Sequence, residues 1–278
     1  MHVVMLGNGI AALSAAETLR ARRPAWKITL VSGESAYPYS RPALMYIHMG
    51  QLRYGDTKLH EDPWYDEQRI ARVRDWVTGI DLSGRRLILH RGEPLAFDRL
   101  LVATGSRNRL TGWPGQDLEG VQGLISLMDL KLLRENTRRC RRAVIVGGGL
   151  IGIELAEMLL YQGIAVTFLV REPTYWGTVL PDEESSLVNG IIGEGGIDLR
   201  LGTSLERIED DGHGRVGAVV TTAGQRIECQ LVGLTAGVRP NVEVARSSGL
   251  ACEEGVLVDA GLRTGVEGVL AAGDCAQI

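Results

Sequence analysis

An internal repeat is the feature that most constrains the fold of this chain. Residues 3–19 read VVMLGNGIAALSAAETL and residues 143–159 read AVIVGGGLIGIELAEML, an offset of 140 positions. Each copy is a short apolar strand, a glycine-rich turn and a helix with apolar residues at helical spacing. A second strand follows each copy, at 28–31 and 166–170. This order predicts a parallel βαβ unit, and a period this long indicates two duplicated domains.

Short alternating strands follow each copy of the repeat. Residues 73–103 alternate apolar and polar positions around turns at 83–84 and 92–94, and residues 197–234 show a similar pattern. We interpret both stretches as antiparallel meanders attached to the βαβ units.

Composition narrows the class of protein. Glycine contributes 36 of 278 residues and aromatic residues only 5%, which favours several glycine-rich ligand loops. The net charge of −4 excludes a broad basic surface for nucleic acid, and the cluster RRCRR at 138–142 is too short to create one. The four cysteines lie far apart and the five histidines show no ligand spacing, so we expect no metal site. We expect a cytoplasmic protein with reduced thiols and no membrane span.

The first glycine-rich turn has the pattern of a dinucleotide site. Gly7, Gly9 and Ala12 fit G-x-G-x-x-A between a strand and a helix. Such glycines let a pyrophosphate approach the backbone, and the helix N-terminus supplies free N–H groups. Glu34 follows the second strand, where a carboxylate accepts hydrogen bonds from ribose hydroxyls. The alternatives are a glycine turn used only for packing and a solvated loop acid.

The second turn satisfies the full G-x-G-x-x-G pattern. It contains Gly147, Gly149, Ile151 and Gly152. Two such sites in one chain imply two dinucleotides, and a flavin with a nicotinamide is the natural pair because one can pass hydride to the other. After the following strand, Glu172 would favour NADH through the ribose hydroxyl, whereas Arg171 could pair with the 2′-phosphate of NADPH. We favour NADH and leave NADPH open.

Further motifs follow in order along the chain. They are 37–44 with Arg41 and Pro42, 101–105 with Ala103, Thr104 and Gly105, Glu154, 235–237 with Gly237, and 271–274 with Gly273 and Asp274. Together with the fingerprints, these motifs resemble the pyridine-nucleotide disulfide oxidoreductases, flavoproteins that bind two dinucleotides. The most similar branch lacks a redox disulfide and contains rubredoxin and ferredoxin reductases and the flavoprotein region of nitrite reductases. The resemblance covers essentially all 278 residues.

The resemblance implies roles for these residues. It assigns to FAD the residues Gly7, Gly9, Ala12, Glu34, Arg41, Pro42, Gly273 and Asp274, and to NAD(P)H the residues Gly147, Gly149, Ile151, Gly152, Arg171 and Glu172. Residues Ala103, Thr104, Gly105 and Gly237 belong to the segments where the chain crosses between the domains. Glu154 would orient the nicotinamide, which makes it the candidate catalytic residue.

The implied fold is α/β, with two three-layer, Rossmann-like dinucleotide-binding domains. A discontinuous FAD domain is expected at 1–112 and 239–278, with an NAD(P)H domain inserted at 113–238. We expect the last strand, 268–272, to lie in the middle of the FAD sheet beside the first strand.

Two departures from the family pattern bear on function. Disulfide reductases carry two cysteines on the helix that follows the 37–42 region, whereas residues 44–50 here read LMYIHMG. A thiol relay from the flavin is therefore not expected. Family members also continue past the last motif with a helix and an interface domain, whereas four residues follow Asp274 here. We expect either a fragment or a chain that forms a homo-oligomer or part of a larger assembly.

The resemblance implies an oxidoreductase. The expected reaction passes hydride from NADH or NADPH to FAD and then electrons to a redox protein of the iron–sulfur or rubredoxin type. Two alternatives stay open: an NAD(P)H oxidase or diaphorase that uses oxygen or a quinone, and a non-catalytic flavin-binding subunit.

Overall fold

The computed structural model describes all 278 residues, and they form two compact units. Unit 1 contains Met1–Ser40, Tyr54–Arg107 and Arg239–Ile278. Unit 2 contains Arg41–Arg53 and Asn108–Val238. No helix combines the length and the apolar character that a membrane crossing requires.

The structure corrects the domain bounds expected from the sequence. The chain enters unit 2 after Arg107 instead of after residue 112, and residues 41–53 belong to unit 2 although they were expected within unit 1. Two hydrogen bonds within unit 2 explain this placement. The Arg41 guanidinium donates to the Ile125 carbonyl at 2.8 Å, and Arg134 donates to the Ile47 carbonyl at 2.7 Å. Neither partner is close in sequence, so only the fold brings these groups together.

The chain forms seven α-helices and twenty strands. The helices are α1 (Ile10–Arg22), α2 (Leu44–His48), α3 (Asp62–Glu67), α4 (Leu127–Thr137), α5 (Leu150–Tyr161), α6 (Asp182–Glu194) and α7 (Glu243–Ser247). Strands of the first half are β1 (His2–Leu6), β2 (Lys27–Val31), β3 (Ile70–Val73), β4 (Val77–Asp81), β5 (Arg86–Leu89), β6 (Leu95–Ala96), β7 (Arg99–Val102), β8 (Ser106–Asn108) and β9 (Val121–Gln122). Those of the second half are β10 (Arg142–Val146), β11 (Ala165–Leu169), β12 (Asp198–Arg200), β13 (Leu205–Asp210), β14 (Val216–Thr221), β15 (Arg226–Glu228), β16 (Leu231–Leu234), β17 (Val238–Pro240), β18 (Val256–Leu257), β19 (Val269–Ala271) and β20 (Ala276–Gln277).

Unit 1 is built on a parallel sheet in the order β19-β7-β1-β2-β3. Successive side chains of β1 point to opposite faces, as the pleat requires. Val3 and Met5 pack in the cluster that contains Leu13 of α1. Val4 and Leu6 pack in a cluster with the antiparallel sheet β4-β5-β6. The apolar residues of β1, Val3 to Leu6, are therefore buried on both faces between a helical layer and a second sheet.

Unit 2 repeats this architecture. Its parallel sheet has the order β12-β11-β10-β16-β9, and β13-β14-β15 forms the antiparallel sheet. Val144 and Val146 of β10 pack against the antiparallel sheet, in one cluster with Ile208 and Val219. The chain is thus α/β with two Rossmann-like units, as the resemblance implied.

The extent of the two meanders was predicted wrongly. Strand β7 pairs in parallel with β1, and β16 pairs in parallel with β10, so neither strand belongs to an antiparallel meander. Strand β12 pairs in parallel with β11. The burial of β16 explains the difference, because all four of its residues are buried, whereas a meander strand has one exposed face.

The position of the last strand also differs from expectation. Strand β19 lies at the edge of the first sheet and pairs only with β7. Strand β7 occupies the place beside β1 that was expected for residues 268–272.

A buried arginine joins the end of α1 to the loop before β3. Arg20 is 8% exposed, and its guanidinium donates to the carbonyl oxygens of four residues, which are Gln68 at 2.5 Å, Pro24 at 2.8 Å, Trp26 at 2.9 Å and Arg69 at 2.8 Å. These hydrogen bonds hold the turn after α1 against the loop before β3, and the Pro24 carbonyl also accepts from the Arg69 guanidinium at 3.1 Å.

We expect Arg20→Leu to lower the free energy of unfolding by about 2–3 kcal/mol, because it removes the four hydrogen bonds that the buried guanidinium donates. The matched control is Arg22→Leu, since Arg22 is exposed on the same helix, and its effect should stay within about 0.5 kcal/mol. Urea unfolding followed by tryptophan fluorescence measures both. Equal stabilities of the two variants would contradict the structural role given to Arg20.

Candidate dinucleotide-binding sites

The strand order of unit 1 contains a switch point between β1 and β7. From β1 the chain continues to β2 and β3 on one side, and later returns to β7 on the other. Parallel α/β sheets bind ligands outside the carboxyl ends of the strands at such a point. Gly7 follows β1 there with φ of +119°, and a Cβ at this position would lie 2.0 Å from the Ala103 carbonyl oxygen. Only glycine can occupy this position, which lets the backbone turn directly into α1.

Open space lies in front of the helix that follows. Gly9 immediately precedes α1 and provides no side-chain cap. A Cβ built on Gly9 would meet no atom within 4 Å. The first N–H groups of α1 therefore face a cradle without protein atoms, which suits the pyrophosphate of a dinucleotide. Ala12 is fully buried and packs beneath this turn in the α1 cluster.

The loop after β2 is tied to the glycine turn. Asn8 is 7% exposed, and its side-chain amide donates to the Ser35 carbonyl at 3.0 Å and to the Ser35 hydroxyl at 2.9 Å. The neighbouring Glu34 accepts a hydrogen bond from the buried Tyr39 hydroxyl. The structure thus holds the Glu34 carboxylate beside the glycine turn, where the ribose acid was expected.

Thr104 and Gly105 of the crossing segment and Asp274 of the last motif lie at the same carboxyl edge of the unit 1 sheet. The Thr104 hydroxyl donates to the Asn241 carbonyl at 2.5 Å, and the Gly105 carbonyl accepts from the Asn241 N–H at 2.9 Å. Asp274 is exposed and accepts a hydrogen bond from the Ser106 hydroxyl at 2.9 Å. The segments that follow β7 and β19 are therefore adjacent, although 168 positions separate Ser106 from Asp274 in sequence.

The residues that follow β19 pack against the first turn of α1. Gly273 has φ of +78°, and a Cβ there would lie 3.0 Å from the Ala11 Cβ. The expected FAD residues of the last motif therefore lie beside the first fingerprint. Arg41 and Pro42 are instead exposed residues of unit 2.

Unit 2 contains a second cradle at the switch point between β10 and β16. Gly147 has φ of +120°, and a Cβ there would lie 2.6 Å from the Thr235 carbonyl oxygen. Gly149 precedes α5 without a side-chain cap, and nothing lies within 4 Å of its Cβ position. Gly152 allows the helix to approach the sheet, because its Cβ would lie 2.8 Å from the Phe168 ring. Ile151 is half-buried in the same first turn.

The strand register aligns the two candidate ribose acids. Leu6 pairs with Val31 in unit 1, and Val146 pairs with Leu169 in unit 2. Three residues after each second strand comes a glutamate, Glu34 or Glu172. The offset between the repeats is 140 at the first strands (Leu6 and Val146) but 138 at the second strands (Val31 and Leu169), so Glu34 aligns with Glu172. The structure therefore identifies Glu172 as the counterpart of Glu34.

The carboxylate of Glu172 faces the glycine turn. Its Oε2 would lie 3.8 Å from a Cβ on Gly148. Arg171 is 80% exposed and donates to the Glu172 carboxylate at 2.8 Å, which lowers the pKa of Glu172. Because Arg171 is already paired with this carboxylate, its charge is largely neutralised locally.

The candidate catalytic residue lies one turn into α5. Glu154 is half-buried, and burial together with the charge of Glu157 raises the pKa of its carboxyl group. Gly237 is exposed, with φ of +100°, on the segment that leads out of unit 2.

Two features were not found by sequence reasoning. His48 is 7% exposed, and burial lowers its pKa. The Tyr175 hydroxyl donates to the Gly149 carbonyl at 3.1 Å. No local sequence signal marks this hydrogen bond, because its partners are 26 positions apart.

The thiols and the metal-ligating residues form no redox or metal site. All four cysteines are free, and no group of three or more His, Cys, Asp or Glu residues could hold a metal ion. Burial raises the pKa of Cys140 to about 11 and that of Cys229 to about 12. These thiols therefore stay protonated and are weak nucleophiles.

A cleft of about 560 Å³ lies elsewhere in unit 2. Its lining includes Arg142 and Ala165, the first residues of β10 and β11. The cleft is therefore at the amino ends of the parallel strands, whereas ligands of such sheets bind at the carboxyl ends. It is not the dinucleotide site.

Comparison with known proteins decides the family. The model of the pyridine nucleotide-disulphide oxidoreductase family matches residues 1–278. The chain belongs to this family. It is an oxidoreductase of the kind that uses FAD and NADH, as the resemblance implied.

Relatives and solved structures agree with the assignment. The ferredoxin reductase component of chlorobenzene dioxygenase from Cupriavidus sp. (strain PS12) is 34% identical over 277 residues, covering 99% of this chain and 67% of that protein. Rubredoxin-NAD(+) reductase from Pseudomonas putida is 30% identical, with 99% and 72% covered. The crystal structure of the ferredoxin reductase for the CYP199A2 system from Rhodopseudomonas palustris superposes with a TM-score of 0.89 at 31% identity, covering 99% of this chain and 68% of that one. The chain thus spans about two thirds of the length of these proteins.

We expect Gly9→Glu to abolish FAD binding, because its carboxylate would project into the open cradle and repel the pyrophosphate. The purified protein should be colourless, as measured by its absorbance in the visible range. The matched control is Gly265→Glu, since Gly265 is exposed, belongs to unit 1 and also has open space at its Cβ position. That variant should keep its FAD. A normal FAD content in Gly9→Glu would contradict the assignment of this cradle.

Proposed function

We propose that this chain carries electrons from NADH through FAD to a redox protein of the iron–sulfur or rubredoxin type. The observation that carries the proposal is the pair of glycine cradles, one in each unit, with a glutamate placed beside each turn. The names of the relatives, which are ferredoxin and rubredoxin reductases, support the class of acceptor.

The residues of unit 1 would hold FAD. The N–H groups at the start of α1 would donate to the pyrophosphate, and Glu34 would accept from the adenosine ribose. Asp274 would accept from the ribityl hydroxyls, and Ser106 fixes its carboxylate by donating at 2.9 Å. Arg41 and Pro42 would line the flavin, a role inferred only from the resemblance.

The residues of unit 2 would hold NADH. The start of α5 would bind its pyrophosphate, and Glu172 would accept from its ribose hydroxyls. Glu154 would orient the nicotinamide through its carboxyl group. Bound FAD would accept a hydride equivalent from NADH and supply electrons to the acceptor. The protein's contribution is orientation, since this transfer requires no protein nucleophile.

The thiol arrangement favours an external acceptor. Disulfide reductases pass electrons to a cysteine pair, whereas α2 and the residues beside it contain no cysteine. The four cysteines elsewhere in the chain are free thiols, so none of them forms a disulfide that could replace such a pair. An acceptor outside this chain is therefore required for turnover.

Location and assembly are further parts of the proposal. Four free thiols fit a reducing compartment, and we propose the cytoplasm. That the chain forms a homo-oligomer or part of a larger assembly stays a prediction.

An anaerobic titration tests the function. NADH should bleach the flavin absorbance of the purified protein, and a ferredoxin or rubredoxin should restore it without oxygen. Flavin that NADH does not reduce would contradict the proposal and favour a non-catalytic flavin-binding subunit. Steady hydrogen peroxide production in air, with no transfer to either carrier protein, would favour an oxidase.

We expect NADH to reduce the flavin at lower concentration than NADPH, because the Glu172 carboxylate accepts from ribose hydroxyls and repels a 2′-phosphate. Glu172→Gln should weaken NADH by about tenfold, the usual effect of losing a hydrogen bond to a charged group, and should bring the two coenzymes closer in affinity. Dissociation constants from stopped-flow reduction measure both.

The matched control for this prediction is Glu157→Gln, which removes an exposed charge from α5. It should leave the ratio of NADH to NADPH affinity unchanged. An unchanged ratio in Glu172→Gln itself would show that this carboxylate does not select the coenzyme.

A further inference from the structure

The two units tie their glycine turns to the loop after the second strand in different ways. In unit 1 the side chain of Asn8, within the glycine turn, donates to Ser35 in that loop. The corresponding position in unit 2 is Gly148, which has no side chain. A side-chain hydrogen bond from this position of the glycine turn to the loop is therefore impossible in unit 2.

Tyr175 makes a side-chain hydrogen bond in the opposite direction, from the loop to the glycine turn. It lies in the loop that follows β11, three residues after Glu172, and its hydroxyl donates to the Gly149 carbonyl at 3.1 Å. The same carbonyl accepts the N–H of Gly152 at 3.1 Å and that of Ile153 at 3.3 Å. These three donors fix the plane of the peptide between Gly149 and Leu150, which opens α5. Because Tyr175 reaches the carbonyl, the N–H side of the turn stays open for a ligand.

Tyr175 is itself held rigidly. Its side chain is 2% exposed, and its backbone N–H donates to the Asn189 side chain of α6 at 3.0 Å. Its ring lies 5.9 Å from the Phe168 ring and stacks on Trp176 at 5.6 Å with an interplanar angle of 13°. A residue with so many contacts positions its hydroxyl precisely and loses little further entropy when a ligand binds.

The backbone beside Tyr175 supports a functional role. Trp176 has φ of +57°, the left-handed region that costs a residue with a side chain about 1 kcal/mol or more. Such strain persists where surrounding contacts over-determine the conformation, and it clusters at ligand sites. Here it lets consecutive aromatic rings stack, with Tyr175 facing the glycine turn.

We infer that Tyr175 is a positioning residue for the nicotinamide dinucleotide, which orients the Gly149 peptide so that the N–H groups of α5 meet the pyrophosphate. This inference rests on the proposed function. The loop after β11 would then have two roles in binding the dinucleotide. Glu172 would bind the ribose, and Tyr175 would orient the peptide that contacts the pyrophosphate.

The test is Tyr175→Phe, which keeps the ring between Phe168 and Trp176 and removes only the hydroxyl. The dissociation constant for NADH should rise about fivefold, because a hydrogen bond contributes about 1 kcal/mol net and a tenfold change corresponds to about 1.4 kcal/mol. ADP-ribose, which contains the same pyrophosphate, should weaken by the same factor. The rate of flavin reduction at saturating NADH and the FAD content should not change, and the melting temperature should fall by only about 2–4 °C, because this hydrogen bond also stabilises the chain without ligand.

The matched control is Tyr161→Phe, since Tyr161 is 61% exposed on α5. It should change none of these quantities. An unchanged NADH affinity in Tyr175→Phe would overturn the inference, as would a fall in melting temperature and FAD content that accounts for the whole effect. If the wild-type chain bound neither NADH nor ADP-ribose, the proposed function itself would be wrong. If the wild-type chain bound both and Tyr175→Phe bound them equally well, only the inference about Tyr175 would be wrong.

Discussion

The close approach of two backbones at each switch point is the constraint on which the rest of the structure depends. At Gly7 and Gly147 the chain turns within van der Waals distance of the neighbouring strand's carbonyl, where a Cβ would lie 2.0 Å and 2.6 Å from oxygen. This packing lets a helix begin directly at the carboxyl end of the first strand. The open N–H groups at Gly9 and Gly149 follow from it, and so does the space that a pyrophosphate requires.

Duplication has preserved the cradle and changed the groups around it. Both units place a glutamate three residues after the second strand, which under the proposed function would give each cradle the same acceptor for a ribose. The ties between the loops differ, because Asn8 has no counterpart at Gly148 and Tyr175 acts from the other side. Under the proposed function, the same backbone conformation of the glycine turn would bind two different dinucleotides. The side chains outside the fingerprint would distinguish the two sites.

The chemistry of the chain is limited by its thiols. Family members with a redox disulfide pass electrons through cysteines next to the flavin, and this chain has none at the corresponding helix. All four cysteines are free thiols, which are already reduced, so no disulfide of this chain can accept electrons from the cofactors. The acceptor must therefore come from outside, which fits the ferredoxin and rubredoxin reductases among its relatives.

The sequence by itself determined both βαβ units, both fingerprints and the family, because a strand, a glycine turn and a helix lie within about twenty residues and follow local rules. Only the tertiary structure decided that β7 and β16 join the parallel sheets, that residues 41–53 belong to unit 2, and that Tyr175 reaches Gly149. A short apolar strand has the same pattern whichever neighbour it pairs with, and a hydrogen bond across 26 residues leaves no periodic signal. Which strands pair with each other depends on which of their faces the assembled sheet can bury. This is determined by contacts that form only when the whole chain has folded.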